Sequence, residues 1–302
     1  MNYIVLSRKW RPENFDQVVG QDQVTRVLSN ALKSNRVSHS YLFSGPRGVG
    51  KTTVARILAK KLNDLEDINS SLDVIELDGA SNRGIDEIRD LKDSINYVPV
   101  DSKYKVFIID EAHMLTKEAF NALLKTLEEP PAHVVFILAT TESQKIPPTI
   151  SSRCQKYEFK RITVEKIITH MESILEHEGY QRDIKALNSI AIKADGSLRD
   201  ALSLLDKIIA LSDKTISYDL TASALGIVDQ SLYLELTNSI FSQDVKECLK
   251  CIDIIVTEKC SMKCKDCSNL MQYYINPINS EIEPLFKNLD KLMKCVDFIY
   301  EF

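Results

Sequence analysis

Ser40-Tyr-Leu-Phe-Ser-Gly45-Pro-Arg-Gly-Val-Gly50-Lys51-Thr52-Thr53 is the stretch on which the reading of the fold turns. Residues 41–43 have the apolar character of a strand, and the chain beyond Thr53 reads as a helix. Between them, Gly45 to Thr52 fits G-x-x-x-x-G-K-[ST] in the strand–loop–helix setting that its mechanism requires. The glycines let successive backbone N–H groups curl around a phosphate, and the helix behind them directs its positive end at the same point. Gly45, Pro46, Arg47, Gly48, Val49 and Gly50 are therefore expected to form the cradle, with Lys51, Thr52 and Thr53 closing it. Lys51 would reach the outer phosphate oxygens, and the Thr52 hydroxyl would bind Mg²⁺.

Working outward, Val106-Phe-Ile-Ile-Asp110-Glu111 supplies the second half of such a site. A buried strand that ends in two carboxylates sets them at the rim of a sheet. Asp110 is expected to hold magnesium through water, and Glu111 to polarise an attacking water as general base. Asp110-Glu111-Ala112-His113 also spells the four letters of one helicase class, but no other helicase motif accompanies them.

Further apolar runs at residues 74–77, 134–139 and 156–159 join 41–43 and 106–109 as five predicted strands. Amphipathic helical patterns separate them: residues 21–34, then Ile85, Ile88, Leu91 and Ile95, then Ala119, Leu123 and Leu127, ended by Pro130-Pro131. This alternation predicts an α/β domain with a parallel five-stranded sheet. After residue 161 the strand signals stop. Residues 163–178, 182–194 and 197–211 read as helices separated by Gly179 and Gly196, and the chain is helical from about 227 onward. The expected domains are 1–162 (α/β), 163–226 (small helical lid) and 227–302 (all-helical).

The 38 Lys and Arg against 43 Asp and Glu give a net charge of −5, which argues against a tail-driven nucleic-acid binder without excluding a local basic patch. No run approaches the about 20 apolar residues of a membrane span, so a soluble, cytoplasmic protein is expected. Seven cysteines, an odd count, read as reduced thiols and not as a disulfide framework.

The assembled motifs resemble the clamp-loader clade of the AAA+ ATPases, and within it the gamma/tau subunits of bacterial DNA polymerase III. The stretches that carry the resemblance are Arg8-Lys-Trp-Arg-Pro12 and Val18-Val-Gly-Gln21, then residues 39–53, Asp78-Gly-Ala-Ser-Asn82, residues 104–113 and 120–131, Phe136-Ile-Leu-Ala-Thr-Thr-Glu142, Ser151-Ser-Arg-Cys154 and residues 196–205. By this resemblance Arg8, Arg11, Pro12, Val18 and Val19 would frame the adenine of ATP. Thr141, in preference to Thr140, would sense the γ-phosphate. Arg153 would serve as an arginine finger on a neighbouring subunit's ATP, and Arg199 as a second sensor in the lid. The last helices would form the collar of a ring, a pentamer by the same resemblance, with other clamp-loader subunits. Partners would be a sliding clamp and primed template DNA, with Arg83 and Arg89 as candidate DNA contacts. Two other functions fit the same motifs: a different AAA+ DNA motor for branch migration or replication restart, and an ATP-binding scaffold with little turnover.

The sequence also departs from the gamma/tau pattern. The four-cysteine zinc module that these subunits carry after the phosphate-loop helix has no counterpart in residues 62–73, which contain no cysteine. The short stretch after residue 226 further suggests a minimal motor subunit. Cys248 and Cys251 with Cys264 and Cys267 have the paired spacing of a zinc site, and Cys260, Cys264 and Cys267 that of a radical-enzyme iron–sulfur cluster. Cys248, Cys251, Ile252 and Ile255, and again Cys260, Cys264, Cys267 and Met271, also fall on single helical stripes, so buried helix-core thiols and no zinc are expected.

Overall fold

The computed structural model describes residues 3–81, 91, 93–95, 97–227, 230–242, 247 and 250. Arg83, Arg89, Cys248, Cys251, Cys260, Cys264, Cys267 and Cys295 lie outside the described residues, and with them the expectations for DNA contact and for the late cysteines. The chain divides into two compact units, residues 1–225 and 226–302.

In chain order the first unit comprises α1 (Leu6–Lys9), α2 (Asp22–Lys33), β1 (Ser40–Ser44), α3 (Lys51–Leu62), β2 (Val74–Asp78), β3 (Lys105–Asp110), α4 (Lys117–Glu128), β4 (Val134–Thr140), α5 (Pro148–Ser151) and β5 (Gln155–Glu158). It continues with α6 (Val164–Glu178), β6 (Gln181–Arg182), α7 (Ile184–Lys193), α8 (Leu198–Leu211), β7 (Thr215–Ile216) and α9 (Tyr218–Leu225). In the second unit Gln230–Phe241 forms α10.

The five strands form one parallel sheet in the order β2-β3-β4-β1-β5. Because side chains alternate across a strand, each central strand feeds two cores. Tyr41, Phe43, Val106, Ile108, Val135 and Ile137 face the layer that holds Leu28, Val54 and Leu58 from α2 and α3. Leu42, Phe107, Ile109, Phe136 and Leu138 face the opposite layer, with Phe120 and Leu123 from α4. Burial on both faces explains why β3 and β4 read as unbroken apolar runs. The edge strand β5 buries only Tyr157, so its sequence, Gln-Lys-Tyr-Glu, is mostly polar instead. Next to it, burial pushes the Cys154 thiol up to about 11.

One sequence expectation needs correction. Strand structure does not stop after residue 161: β6 pairs in parallel with β7 through Gln181↔Thr215 and Arg182↔Ile216. Two-residue strands are too short to show any periodicity, and only Ile216 among the four is buried. Arg182, expected at the start of a helix, belongs to β6; α7 begins at Ile184, where the Asp183 side chain caps it by accepting from Lys185 N–H.

Asp73 anchors the approach to β2. It is buried, and its carboxylate accepts the Val100 N–H at 2.9 Å and the Asp101 N–H at 3.0 Å. Burial alone would raise its pKa, but these donors hold the carboxyl below the usual range. A lowered folded-state pKa contributes stability above the ordinary Asp range and loses it as pH falls through the folded value. Asp73→Asn should therefore cost about 2 kcal/mol at pH 7. Urea unfolding measures this, and the gap from the parent protein should shrink steadily as the pH is lowered through the carboxylate range.

Candidate nucleotide site

Residues 45–50 leave the C-terminal end of β1, in the interior of the sheet, and enter α3 with Gly50 in the left-handed region at φ 102°. Open α/β sheets bind ligands at this edge. The first N–H groups of α3 have no helical acceptor, so the loop gathers free donors at one point. Two glycines are dictated by neighbours. A β-carbon on Gly45 would lie 2.2 Å from the Phe159 carbonyl oxygen, and one on Gly48 would lie 2.0 Å from Ser197 Oγ. Val49 is buried beneath the loop, Thr53 lies in the first turn of α3, and Arg47 is exposed.

Lys51 is 6% exposed, and its Nζ donates to the Gly45 and Pro46 carbonyls at 2.8 and 2.7 Å. Burial lowers its pKa, while the charges of Glu111 and Asp110 oppose that shift. Thr52 Oγ1 donates to Asp110 Oδ2 at 2.7 Å, so the hydroxyl and carboxylate expected to share a magnesium ion already meet. Asp110 also accepts the Glu111 N–H at 2.9 Å. Glu111 itself adopts φ 44°, an unusual value for a residue with a side chain, as the chain turns sharply off β3. Its Oε2 accepts from Thr141 Oγ1 at 3.0 Å. Thr140, the alternative sensor, instead meets Nδ1 of His113 at 3.1 Å. The structure thus brings Lys51, Thr52, Asp110, Glu111 and Thr141 together.

Arg199 meets the loop through its backbone: its main-chain N–H donates to the Gly48 carbonyl at 3.3 Å. Arg11 keeps access to water, but the protein strips part of its hydration. That desolvation lowers its pKa, helped by the positive charges of Arg56, Arg199 and Arg8 and opposed by Glu76. Cations that repel one another gain when negative charge arrives, so this corner favours a ligand that is anionic overall. Val18 packs into the core with Phe15, while Pro12 and Val19 are half-buried nearby in sequence. Arg153 stands apart: it donates to the Thr149 carbonyl and to Glu128 Oε1, both at 2.6 Å, and to neither Asp110 nor Glu111. Among the described residues, no group of three or more His, Cys, Asp and Glu forms a metal site, and no helix is long and apolar enough to cross a membrane.

With this geometry in view, the relatives are informative. Residues 20–163 match the family model described as DNA polymerase III, delta subunit, and residues 166–214 match DNA polymerase III clamp loader subunit, ATPase lid domain. The DNA polymerase III subunit gamma of Buchnera aphidicola subsp. Acyrthosiphon pisum is 43% identical over 263 residues, which is 82% of this chain and 73% of that protein. The chain belongs to the DNA polymerase III gamma/tau family. The tau subunits of Bacillus subtilis and Escherichia coli are each 46% identical, over 85% and 79% of this chain. The chain spans 49% and 40% of their respective lengths. Among solved structures, the Thermotoga maritima RuvB Holliday junction branch migration motor superposes with TM-score 0.58 at 22% identity, covering 76% of this chain and 79% of that one. At that identity the likeness establishes a shared fold and nothing further.

For this gamma/tau family member, three supporting residues escaped the motif reading. Gln21, 4% exposed, donates from Nε2 to the Lys160 carbonyl at 2.8 Å and accepts the Lys160 N–H, so it ties the start of α2 to the segment leading into the lid. Glu128 holds Arg153, and Glu142 faces His113. Each acts across a gap in sequence that no short pattern spans, so lying within a family motif, as all three do, assigned none of them a role. Gly48→Ala would force a β-carbon onto Ser197 and hold a side chain at φ 71°. It should weaken nucleotide binding about tenfold or more in a fluorescent-nucleotide titration, because loop and lid no longer close together.

Proposed function

We propose that this chain is an ATPase subunit of a DNA-replication clamp loader, using ATP binding and hydrolysis to place a sliding clamp on primed DNA. The observation that carries the reading is the pairing of Thr52 with Asp110 and of Thr141 with Glu111 at one sheet edge, beside the glycine loop. Identity of 43–46% to gamma and tau subunits, against 22% to a branch-migration motor, favours the loader over the other DNA motors. An intact set of Lys51, Asp110 and Glu111 favours turnover over a passive scaffold.

In this reading the loop N–H groups and Lys51 hold the β- and γ-phosphates, and Arg8, Arg11, Pro12, Val18 and Val19 frame the adenine. Thr52 and Asp110 would hold Mg²⁺, which would supply charge neutralisation on the phosphates. Glu111 takes the proton of the attacking water, and Thr141 fixes the carboxylate that does so. Arg199 reports the nucleotide to the lid of its own chain. Arg153, paired with Glu128 away from its own chain's loop, is poised for a site on another subunit. The partners are other loader subunits in a ring of about five, the clamp and primed DNA, in the cytoplasm, with residues from 227 onward as collar. Arg83 and Arg89 are offered as DNA contacts.

Turnover measured with and without primed DNA, clamp and partner subunits tests the reading: a loader needs all of them for full rate, and a motor indifferent to the clamp overturns it. Lys51→Ala should abolish tight ATP binding. Glu111→Gln should retain binding and slow hydrolysis about 10²-fold or more, because it keeps the shape and loses the base.

Arg153→Ala introduced into one marked subunit of an assembled loader should silence the adjacent subunit's site, an effect typically worth about 10³–10⁵ in rate. The mutant's own site should keep near-normal nucleotide affinity. Loss confined to the mutant's own site would show that the finger does not act in trans.

A further inference from the structure

His113 comes two residues after the expected base, in the short 3-10 turn Ala112–Met114, and its side chain is 7% exposed. Its Nε2 lies 3.3 Å from Glu142 Oε1, and its Nδ1 lies 3.1 Å from Thr140 Oγ1 and 3.4 Å from Glu111 Oε2. Both flanking partners are themselves held. Thr140 Oγ1 accepts the Glu142 N–H at 3.0 Å, and Glu142 Oε1 accepts from Lys145 Nζ at 2.8 Å. A carboxylate facing Nε2 requires an N–H there. In the neutral ring Nδ1 is then the acceptor of the Thr140 hydroxyl. Every polar atom of the ring is thereby satisfied without Glu111.

Glu111 therefore meets the edge of a ring that is held from both ends and, in this tautomer, offers it a lone pair. The Thr141 hydroxyl is the donor to the same Oε2 atom, at 3.0 Å. The ring edge and the hydroxyl both crowd Oε2, which leaves Oε1 as the oxygen to meet the water to be activated.

We propose that His113, clamped by Glu142 and Thr140, is a positioning residue that holds Glu111 in the orientation needed for hydrolysis. This rests on Glu111 being the base of the ATPase reaction. The positioning acts on the chemical step and leaves nucleotide binding alone, because the polar partners of His113 and Glu142 lie outside the glycine loop and Lys51. A displaced carboxylate loses rate steeply, since small misplacements of a reacting group cost orders of magnitude.

The experiment is a double-mutant cycle in the assembled, DNA- and clamp-stimulated protein, with kcat, KM for ATP and Tm read for each variant. Glu111→Gln is measured first, and a normal rate there refutes the base assignment itself. With Glu111→Gln slow, His113→Ala is expected to lower kcat about tenfold with KM and Tm near the parent values. His113→Gln, whose amide can still reach Glu142, should recover part of the rate. In the Glu111→Gln background, His113→Ala should add no further loss. Equal losses in both backgrounds, an unchanged kcat for His113→Ala, or a parallel fall in Tm and rise in KM would each overturn the positioning role while leaving Glu111 as base.

Discussion

Free backbone donors at the start of the helix Lys51–Leu62 are the constraint around which the first unit is arranged. An α-helix leaves its first N–H groups without internal partners, and their aligned dipoles favour negative charge at that end. To aim them at one point, the chain must turn with left-handed backbone at Gly50 and stay free of side chains where Phe159 and Ser197 press in. The loop must also leave the interior of the sheet, where β1 is flanked by β4 and β5. The ends of β3 and β4 then deliver Asp110, Glu111, Thr140 and Thr141 to the same edge, because parallel strands all finish on one side.

The same constraint decides how much was legible in the sequence. β3 and β4 are sandwiched between two cores, so every residue of Val106-Phe-Ile-Ile and Val134-Val-Phe-Ile-Leu-Ala must be apolar, and such runs stand out. The loop stands out because only glycine meets its sterics. Thr141 stood out through family resemblance, as a sensor of the γ-phosphate; its 3.0 Å hydrogen bond to Glu111 comes from the structure alone. The parts that stayed hidden depend on closeness without periodicity. The β6–β7 pair has two residues per strand. Gln21 reaches residue 160, and His113 reaches Glu142, through folds of the chain that leave no local pattern. A buried amide or imidazole reads on paper like any exposed one.

The site also shows how charge of either sign is managed. Burial disfavours the positive charge on Lys51, yet two carboxylates restrain that tendency. Arg11 has the opposite company, with three arginines nearby and one glutamate. Together they create an uneven field, negative around Asp110 and Glu111 and positive around the arginines. Such a separation favours a ligand that carries charge of both signs over one that carries a single sign.

The opening residues of the chain carry a mechanical consequence. Tyr3 Oη and the Leu6 N–H donate to Asp206 at 2.6 and 2.8 Å, while Lys9 and Trp10 engage Glu178 at 2.7 and 2.9 Å. Trp10 also packs edge-on against His177, with ring centroids 5.3 Å apart. The helical lid is thus joined to the rest of its unit covalently at residues 160–163 and, besides the Lys166–Asp22 ion pair and the Arg199 N–H at Gly48, through this strap. A body hung from one point can wander in any direction, whereas one fastened again at a distance loses most of that freedom. While the strap stays in place, the lid is a door and not a pendulum, and Arg199 is kept close to the loop.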